Sequence, residues 1–248
     1  MPCDPRSTTS STASPNVIGD ILVTSRSMTE YSAMFALSPA DLRRRILDCP
    51  GGTASFTAEV CAAGGDVTAC DPVYGQYTAD ELTALGQRDT ERGNHYCRTH
   101  SDEYMWTFFT DPEHHSSSRS ASGNRFADHH RAHPERYVAG ALPRLSFTDE
   151  RFDLVLSSHF LFSYEDRLDL SFHHRAVREL MRVAATEVRI FPLVGMGSSR
   201  YPNLEVLRGR LADDGITTEI RSVDYEFQIG GNEMLVCSRD SAPSVEQR

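Results

Sequence analysis

The stretch Arg45-Ile46-Leu47-Asp48-Cys49-Pro50-Gly51-Gly52-Thr53-Ala54, followed nineteen residues after Gly52 by Asp71, constrains this chain more than any other feature. A short apolar run meets a glycine turn. A segment of helical length follows, then a second apolar run, Val67–Cys70, and then an acid. The order describes a strand, a turn, a helix and a second strand. Glycine has no Cβ, so backbone at such a turn can approach a ligand closely. An acid at the end of the second strand can accept hydrogen bonds from both hydroxyls of a ribose. The unit therefore predicts a nucleoside pocket at the edge of an open α/β sheet.

The residues narrow the choice of nucleoside. Dinucleotide sites use G-x-G-x-x-G to aim a helix N-terminus at a pyrophosphate, and that spacing is absent. The phosphate-binding pattern G-x-x-x-x-G-K-[ST] is excluded because the chain has no lysine. Instead Asp48 ends the first strand, where a carboxylate would repel a diphosphate but suit a ligand carrying an ammonium and a sulfonium. S-adenosylmethionine (SAM) carries both, with the ribose that Asp71 could hold.

Asp48 to Ala54 resembles the glycine motif of class I SAM-dependent methyltransferases, D-x-G-x-G-x-G. Asp48 and Gly52 stand at its acid and its middle glycine, while Pro50 and Ala54 replace the outer glycines. Pro50 fixes φ and removes a donor, so the turn can differ in shape. Val67-Thr68-Ala69-Cys70-Asp71-Pro72 resembles the segment that carries the family's ribose acid, and Phe152 to His159 its fourth strand and exit loop. The approach through Leu142-Pro143 and Phe147 is similar as well. The resemblance covers about residues 45–238. It implies a Rossmann-like, mostly parallel sheet with helices on both faces and an antiparallel C-terminal hairpin. Its implied cofactor set is Asp48, Pro50, Gly51, Gly52, Asp71, Pro72, Leu142, Ser157 and a lid residue, Tyr31. The family often holds the adenine amino group with an acid after the third strand. Here that place reads Ala139-Gly140-Ala141-Leu142-Pro143, so adenine must be met by backbone or from elsewhere.

With 248 residues, 24% charged and 39% apolar, the chain suits one globular domain. No apolar run approaches bilayer length, and the start lacks a charged-then-apolar signal pattern. A net charge of −10 disfavours nucleic acid and anionic membrane as partners. The expected partner is a small molecule; the oligomeric state is open. Cys3, Cys49, Cys61, Cys70, Cys97 and Cys237 form no C-x-x-C pair, which suggests a reduced, cytoplasmic protein.

Residues 1–16 and 240–248 read as loose tails around one domain, 17–239, with a substrate-side insertion at 88–135. Met28, Tyr31, Met34 and Phe35 recur at helical spacing, and Ser38-Pro39-Ala40-Asp41 predicts a helix start. The helix from Thr53 should stop at Gly64-Gly65. A short helix should run from Thr78 to Leu85, ended by Gly86, and Ser116 to Gly123 reads as an exposed loop. Strands are predicted at Tyr137–Ala141, Leu154–Ser157, Glu187–Leu193, Glu219–Gln228 and Met234–Ser238, with Asn203 capping the helix before the final pair. Gly230-Gly231-Asn232 is a hairpin signal.

Methyl transfer needs positioning and exclusion of water more than side-chain chemistry. His159, after the fourth strand, is the candidate base. Trp106, Phe160, Phe162 and Tyr164 are candidates for the substrate pocket. His129, His130 and His133 could suggest a metal, but no supporting ligand motif accompanies them, and none is assigned. The main expectation is methyl transfer from SAM to a small-molecule acceptor in specialised metabolism. Two alternatives keep the pocket: an enzyme that uses SAM as its only substrate, closing its aminobutyrate arm to an azetidine, and a non-catalytic SAM-binding subunit. A dehydrogenase is disfavoured by the missing glycine spacing.

Overall fold

The computed structural model describes residues 21–239. The tails read at 1–16 and 240–248, with Cys3, lie outside these residues. Seven strands form one sheet: β1 (Arg45–Asp48), β2 (Asp66–Cys70), β3 (Tyr137–Val138), β4 (Phe152–Ser158), β5 (Ala184–Phe191), β6 (Ile216–Ser222) and β7 (Glu233–Arg239). Their spatial order is β3-β2-β1-β4-β5-β7-β6. The first five run parallel, and β7 lies antiparallel to both β5 and β6. The sheet is Rossmann-like, mostly parallel and closed by an antiparallel C-terminal hairpin, as expected from the sequence.

The central strands are buried on both faces, so β1 and β4 carry short apolar runs, Ile46-Leu47 and Leu154–Leu156. Alternate residues feed opposite cores. Ile46, Leu154 and Leu156 pack with Tyr31, Phe35 and Phe56 on one face. Leu47, Val155 and Val188 pack with Val177, Leu180 and Leu207 on the other. Each fully buried aliphatic side chain contributes about 1.5–3 kcal/mol, so a one-residue slip of β4 would lose both faces at once. Helices α1 (Met28–Met34), α2 (Phe56–Ala62), α3 (Ala79–Thr99) and α4 (Pro112–Ala132) belong to the first face. Helices α5 (Leu170–Val183) and α6 (Leu204–Asp213) belong to the second.

Several boundaries differ from the sequence expectation. Gly86 does not end a helix but sits inside the 21-residue α3. A Cβ at this glycine would lie 2.7 Å from Thr53 Oγ1, so the residue serves close packing against the glycine turn. Ser116–Gly123 is not a loop but the middle of α4, which starts with Asp111 as its N-cap and Pro112 in the first turn. Its small residues let α4 approach α2: Ser122 Oγ and Ser55 Oγ are 2.8 Å apart. The third strand is only Tyr137–Val138, and Ser38–Asp41 leads into a single 3-10 turn, Asp41–Arg43. Asn203 stands at the N-cap of α6 without a capping side-chain bond.

The chain builds β1, β2 and β3 outward, then returns to place β4 beside β1. The carboxyl ends of β1 and β4 therefore bound the switch point at which open α/β sheets bind ligands.

Candidate active site

The glycine turn is pinned from three sides. Cys49 N donates to Leu156 O at 2.9 Å, Gly51 N to Cys70 O at 3.1 Å, and the Tyr74 hydroxyl to Gly52 O at 2.7 Å. Gly52 has φ +52°, the left-handed region that favours glycine. A Cβ on Gly51 would meet Tyr74 Oη at 2.7 Å and Ala69 Cβ at 2.9 Å. The segment Ile21–Arg26 crosses above. Its carbonyls accept from Thr53 N, 3.2 Å to Thr24 O, and from Ser55 N, 2.9 Å to Arg26 O.

Beneath that segment lies a cavity of about 260 Å³. Its walls include Pro50, Gly51, Gly52, Asp71, Pro72, Leu142, Tyr31, His159 and Phe160, so most of the expected cofactor set and the candidate base come together. Asp71 accepts from Gly52 N at 2.9 Å and from Val73 N at 3.1 Å. Burial raises its carboxyl above the ordinary value, and the two N–H groups oppose that rise. Val73, Pro72, Leu142 and Phe160 supply apolar surface beyond the acid. Gly140 and Ala141 complete the side that carries no acid.

Two of the expected cofactor contacts stand one layer back. Asp48 is 1% exposed and does not form part of the wall. The Tyr31 hydroxyl donates to both its oxygens, at 2.9 and 3.1 Å, and so stands between the acid and the cavity. Burial is the main cause that pushes the Asp48 carboxyl up to about 8, against the Tyr31 bond. Ser157 is replaced in the wall by Ser158, and its hydroxyl has no partner among the described residues.

A second cavity, about 90 Å³, adjoins the first and shares Leu22, Thr24, Arg26 and His159 with it. Its other walls come from α3 (Asp89, Asn94, Cys97), α4 (His115, Arg119) and the segment before β7 (Phe227, Gln228). Tyr164 lines it, and its hydroxyl accepts from Leu22 N at 2.9 Å. Phe162 does not: it packs in the other core against His173 and Tyr201, with ring centroids 5.6 and 5.1 Å away. Trp106 stands behind the wall, edge-on to Phe227 at 5.3 Å.

His159 sits at the junction in a left-handed conformation, φ +48°. Its N–H donates to Phe191 O at 2.7 Å, and Nδ1 lies 2.9 Å from Ser158 Oγ. Burial, then Arg26 and Arg119, hold its pKa well below the usual histidine value. The ring is thus a neutral hydrogen-bonding group that resists taking up a proton. His129 Nδ1 lies 2.8 Å from the Tyr137 hydroxyl, and His130 packs on Phe126 and Tyr137. Among the described residues, no cluster of three or more His, Cys, Asp or Glu could hold a metal ion.

The sequence reasoning missed Arg26, Arg119 and Asn94. Arg26 and Glu30, four apart, have the spacing of an ordinary helix-surface pair, which gives no sign that Glu30 is buried and Arg26 half-buried beside it.

No family model matches the chain. An uncharacterised protein of Methanocaldococcus jannaschii is 28% identical over 222 residues, 89% of this chain and 97% of that one. Among solved structures, the chain is similar to Burkholderia thailandensis 1,6-didemethyltoxoflavin-N1-methyltransferase with bound 1,6-didemethyltoxoflavin and S-adenosylhomocysteine. The identity there is 16% and the TM-score 0.47, covering 87% of this chain and 78% of that one. It is also similar to magnesium protoporphyrin IX methyltransferase from Synechocystis PCC 6803 with bound SAM, at 11% identity and TM-score 0.46, covering 86% and 77%.

Proposed function

We propose that this chain is an enzyme that binds SAM in the first cavity and transfers its methyl group to a small molecule seated in the second. One observation carries the reading: a glycine-turn cavity with an acid at the end of β2 shares Leu22, Thr24, Arg26 and His159 with a separate chamber walled by α3 and α4. The residues present fit the cofactor. Asp71 would hold the ribose hydroxyls, the apolar walls of Val73, Leu142 and Phe160 the adenine, and Tyr31 the amino-acid end. When bound, SAM supplies an electrophilic methyl on a sulfonium, which an acceptor lone pair displaces in line.

The chain's own contribution is positioning. The segment Ile21–Arg26 roofs the first cavity and excludes water from it. His159, neutral and fixed by Ser158 and Phe191, accepts a hydrogen bond from the acceptor and orients its lone pair. One domain with a substrate-side insertion suits the same reading, because α3 and α4 form the acceptor chamber, but α3 starts at Ala79 rather than at residue 88. The five cysteines of the described residues are all free, which supports a reducing cytoplasm, and a net charge of −10 supports a small-molecule acceptor over nucleic acid. No helix of the described residues is long and apolar enough to cross a membrane.

Calorimetric titration with SAM and S-adenosylhomocysteine is the test. Micromolar binding or tighter, on the order of 8 kcal/mol, is expected, and no binding of either ligand ends the proposal. Mass spectrometry after incubation with SAM alone checks the reaction type: methylthioadenosine released without an acceptor would replace methyl transfer by use of SAM as sole substrate.

A further inference from the structure

The second cavity carries hydrogen-bonding capacity that the chain does not use. His115, in the first turn of α4, is 5% exposed and lines the cavity. Its ring is fixed by packing. It lies flat on Phe227, with centroids 4.7 Å and planes 20° apart, and meets Phe109 edge-on at 4.8 Å. Neither ring nitrogen has a hydrogen-bond partner among the described residues, and neither is fully enclosed. Burial, then Arg119 and Arg26, hold its pKa down to about 2, so the ring is neutral. A neutral imidazole offers one N–H and one lone pair, whichever nitrogen carries the proton.

Two other walls also hold unmet atoms. Asn94 of α3 donates through Nδ2 to Ser116 Oγ at 2.8 Å, while its Oδ1 has no partner among the described residues. Ser163, after β4, has an unpartnered Oγ. Both residues are buried and line the cavity. A buried polar atom left unpaired is costly, so the walls favour an occupant with hydrogen bonds to give and to take. Charge is treated differently. Arg119 and Arg26 are each paired with Glu30, while Asp89 accepts from Val23 N at 2.8 Å and lies 3.4 Å from Arg92. Burial holds the Cys97 thiol and the Tyr104 and Tyr164 phenols in their neutral form, and His159 is neutral as well. Each charged side chain of the wall thus has its partner within the chain, and burying a further ion without one is costly.

We propose that His115 is a specificity-determining residue of the second cavity, and that the methyl acceptor is an uncharged molecule carrying an N–H or O–H beside a lone pair, the pattern of an azole or a lactam. The proposal rests on the reading of this cavity as the acceptor chamber. His115 becomes a second anchor beside His159, so that two neutral rings hold the acceptor from α4 and from the exit of β4. A site that hydrogen-bonds its substrate discriminates strongly against an analogue lacking the matching group, because its own buried polar atoms are then left unpaired.

Ligand-observed NMR on the full chain saturated with S-adenosylhomocysteine is the test. The probes are pyrazole, N-methylpyrazole, which lacks the N–H, and the ions acetate and ethylammonium. Pyrazole should bind about tenfold or more tighter than the other three. The His115 ring nitrogen resonances should move with pyrazole and stay in place with N-methylpyrazole at the same concentration, a response that packing alone does not give. His115→Phe keeps the stack on Phe227. It should bind pyrazole and N-methylpyrazole alike, and S-adenosylhomocysteine as wild type does, while His115→Gln recovers part of the preference. Wild type that binds pyrazole and N-methylpyrazole alike, binds no pyrazole, or binds either ion more tightly overturns the proposal and leaves nucleoside binding intact. A His115→Phe that weakens S-adenosylhomocysteine and pyrazole equally makes His115 a folding residue and sinks the proposal. If that variant does not fold, the wild-type ring resonances decide. If S-adenosylhomocysteine does not bind wild type, the SAM reading falls, and the same probes on the free protein still decide the role of His115.

Discussion

The first cavity takes its walls from strand ends, and the second takes its walls from helices. At the first, Gly51 N donates to Cys70 O of β2, Asp71 N to Val138 O of β3, and Gly52 N to the Asp71 carboxylate. At the second, Asn94, His115 and Arg119 project from α3 and α4, and their positions depend on side-chain packing and on the Glu30–Arg119–Tyr225 cluster. A backbone-built wall tolerates changes of side chain nearby. A side-chain-built wall can be re-cut by single substitutions without disturbing the sheet, which suits the half of the cleft that must match an acceptor.

The contrast can be tested in descending order of effect. Glu30→Ala leaves the buried Arg119 guanidinium without its carboxylate, beside that of Arg26, and should cost about 3–5 kcal/mol of stability in urea denaturation. A loss under about 1 kcal/mol, the size typical of an exposed pair, would break the claim that this cluster holds the helical layer. Asp71→Ala should weaken S-adenosylhomocysteine by about 1–3 kcal/mol in calorimetry, and unchanged affinity would remove the acid from the ribose site.

Asp48 should appear as a slope. Its folded-state pKa, about 8, lies above the unfolded carboxyl value, so the folded state holds the extra proton. Its stabilising contribution is complete below the unfolded value and is lost as pH rises through about 8. The loss reaches at most about 1.4 kcal/mol per pH unit in between. Asp48→Asn should flatten that part of the stability–pH curve. The smallest expected effect is a null titration: the His159 ring resonances should show no inflection near pH 6.5, the ordinary histidine value, because its folded pKa lies well below it. An inflection there would restore it as an ordinary base.

The strand-built half was legible because its signals are local. A glycine turn after an apolar run, with Asp71 at the next strand end, can be read from spacing alone. Pro50 and Leu142, read from the same frame, lie in the wall of the first cavity, whereas Phe160, expected in the substrate pocket, lines that first cavity and not the second. Asp48 was misplaced by one layer because spacing fixes where a residue leaves the strand, not what covers it, and here Tyr31 does. The helical half was poorly legible. Gly86 and the Ser116–Gly123 run have turn-like propensities, and contacts with Thr53 and Ser55 override them. Phe162 shows the same limit in a strand-exit loop: an aromatic two residues from Phe160 lies in the opposite core.

The one strand that runs against the others has a further consequence. Because β7 is inserted antiparallel between β5 and β6, the chain between β6 and β7 must loop back over the ligand edge. That return seats Phe227 and Gln228 against Glu103–Met105 through Met105 N to Phe227 O, 2.7 Å, and Ile229 N to Glu103 O, 2.9 Å. A nascent chain emerging from the ribosome would own its nucleoside shelf, residues 45–160, well before it could own a finished acceptor chamber.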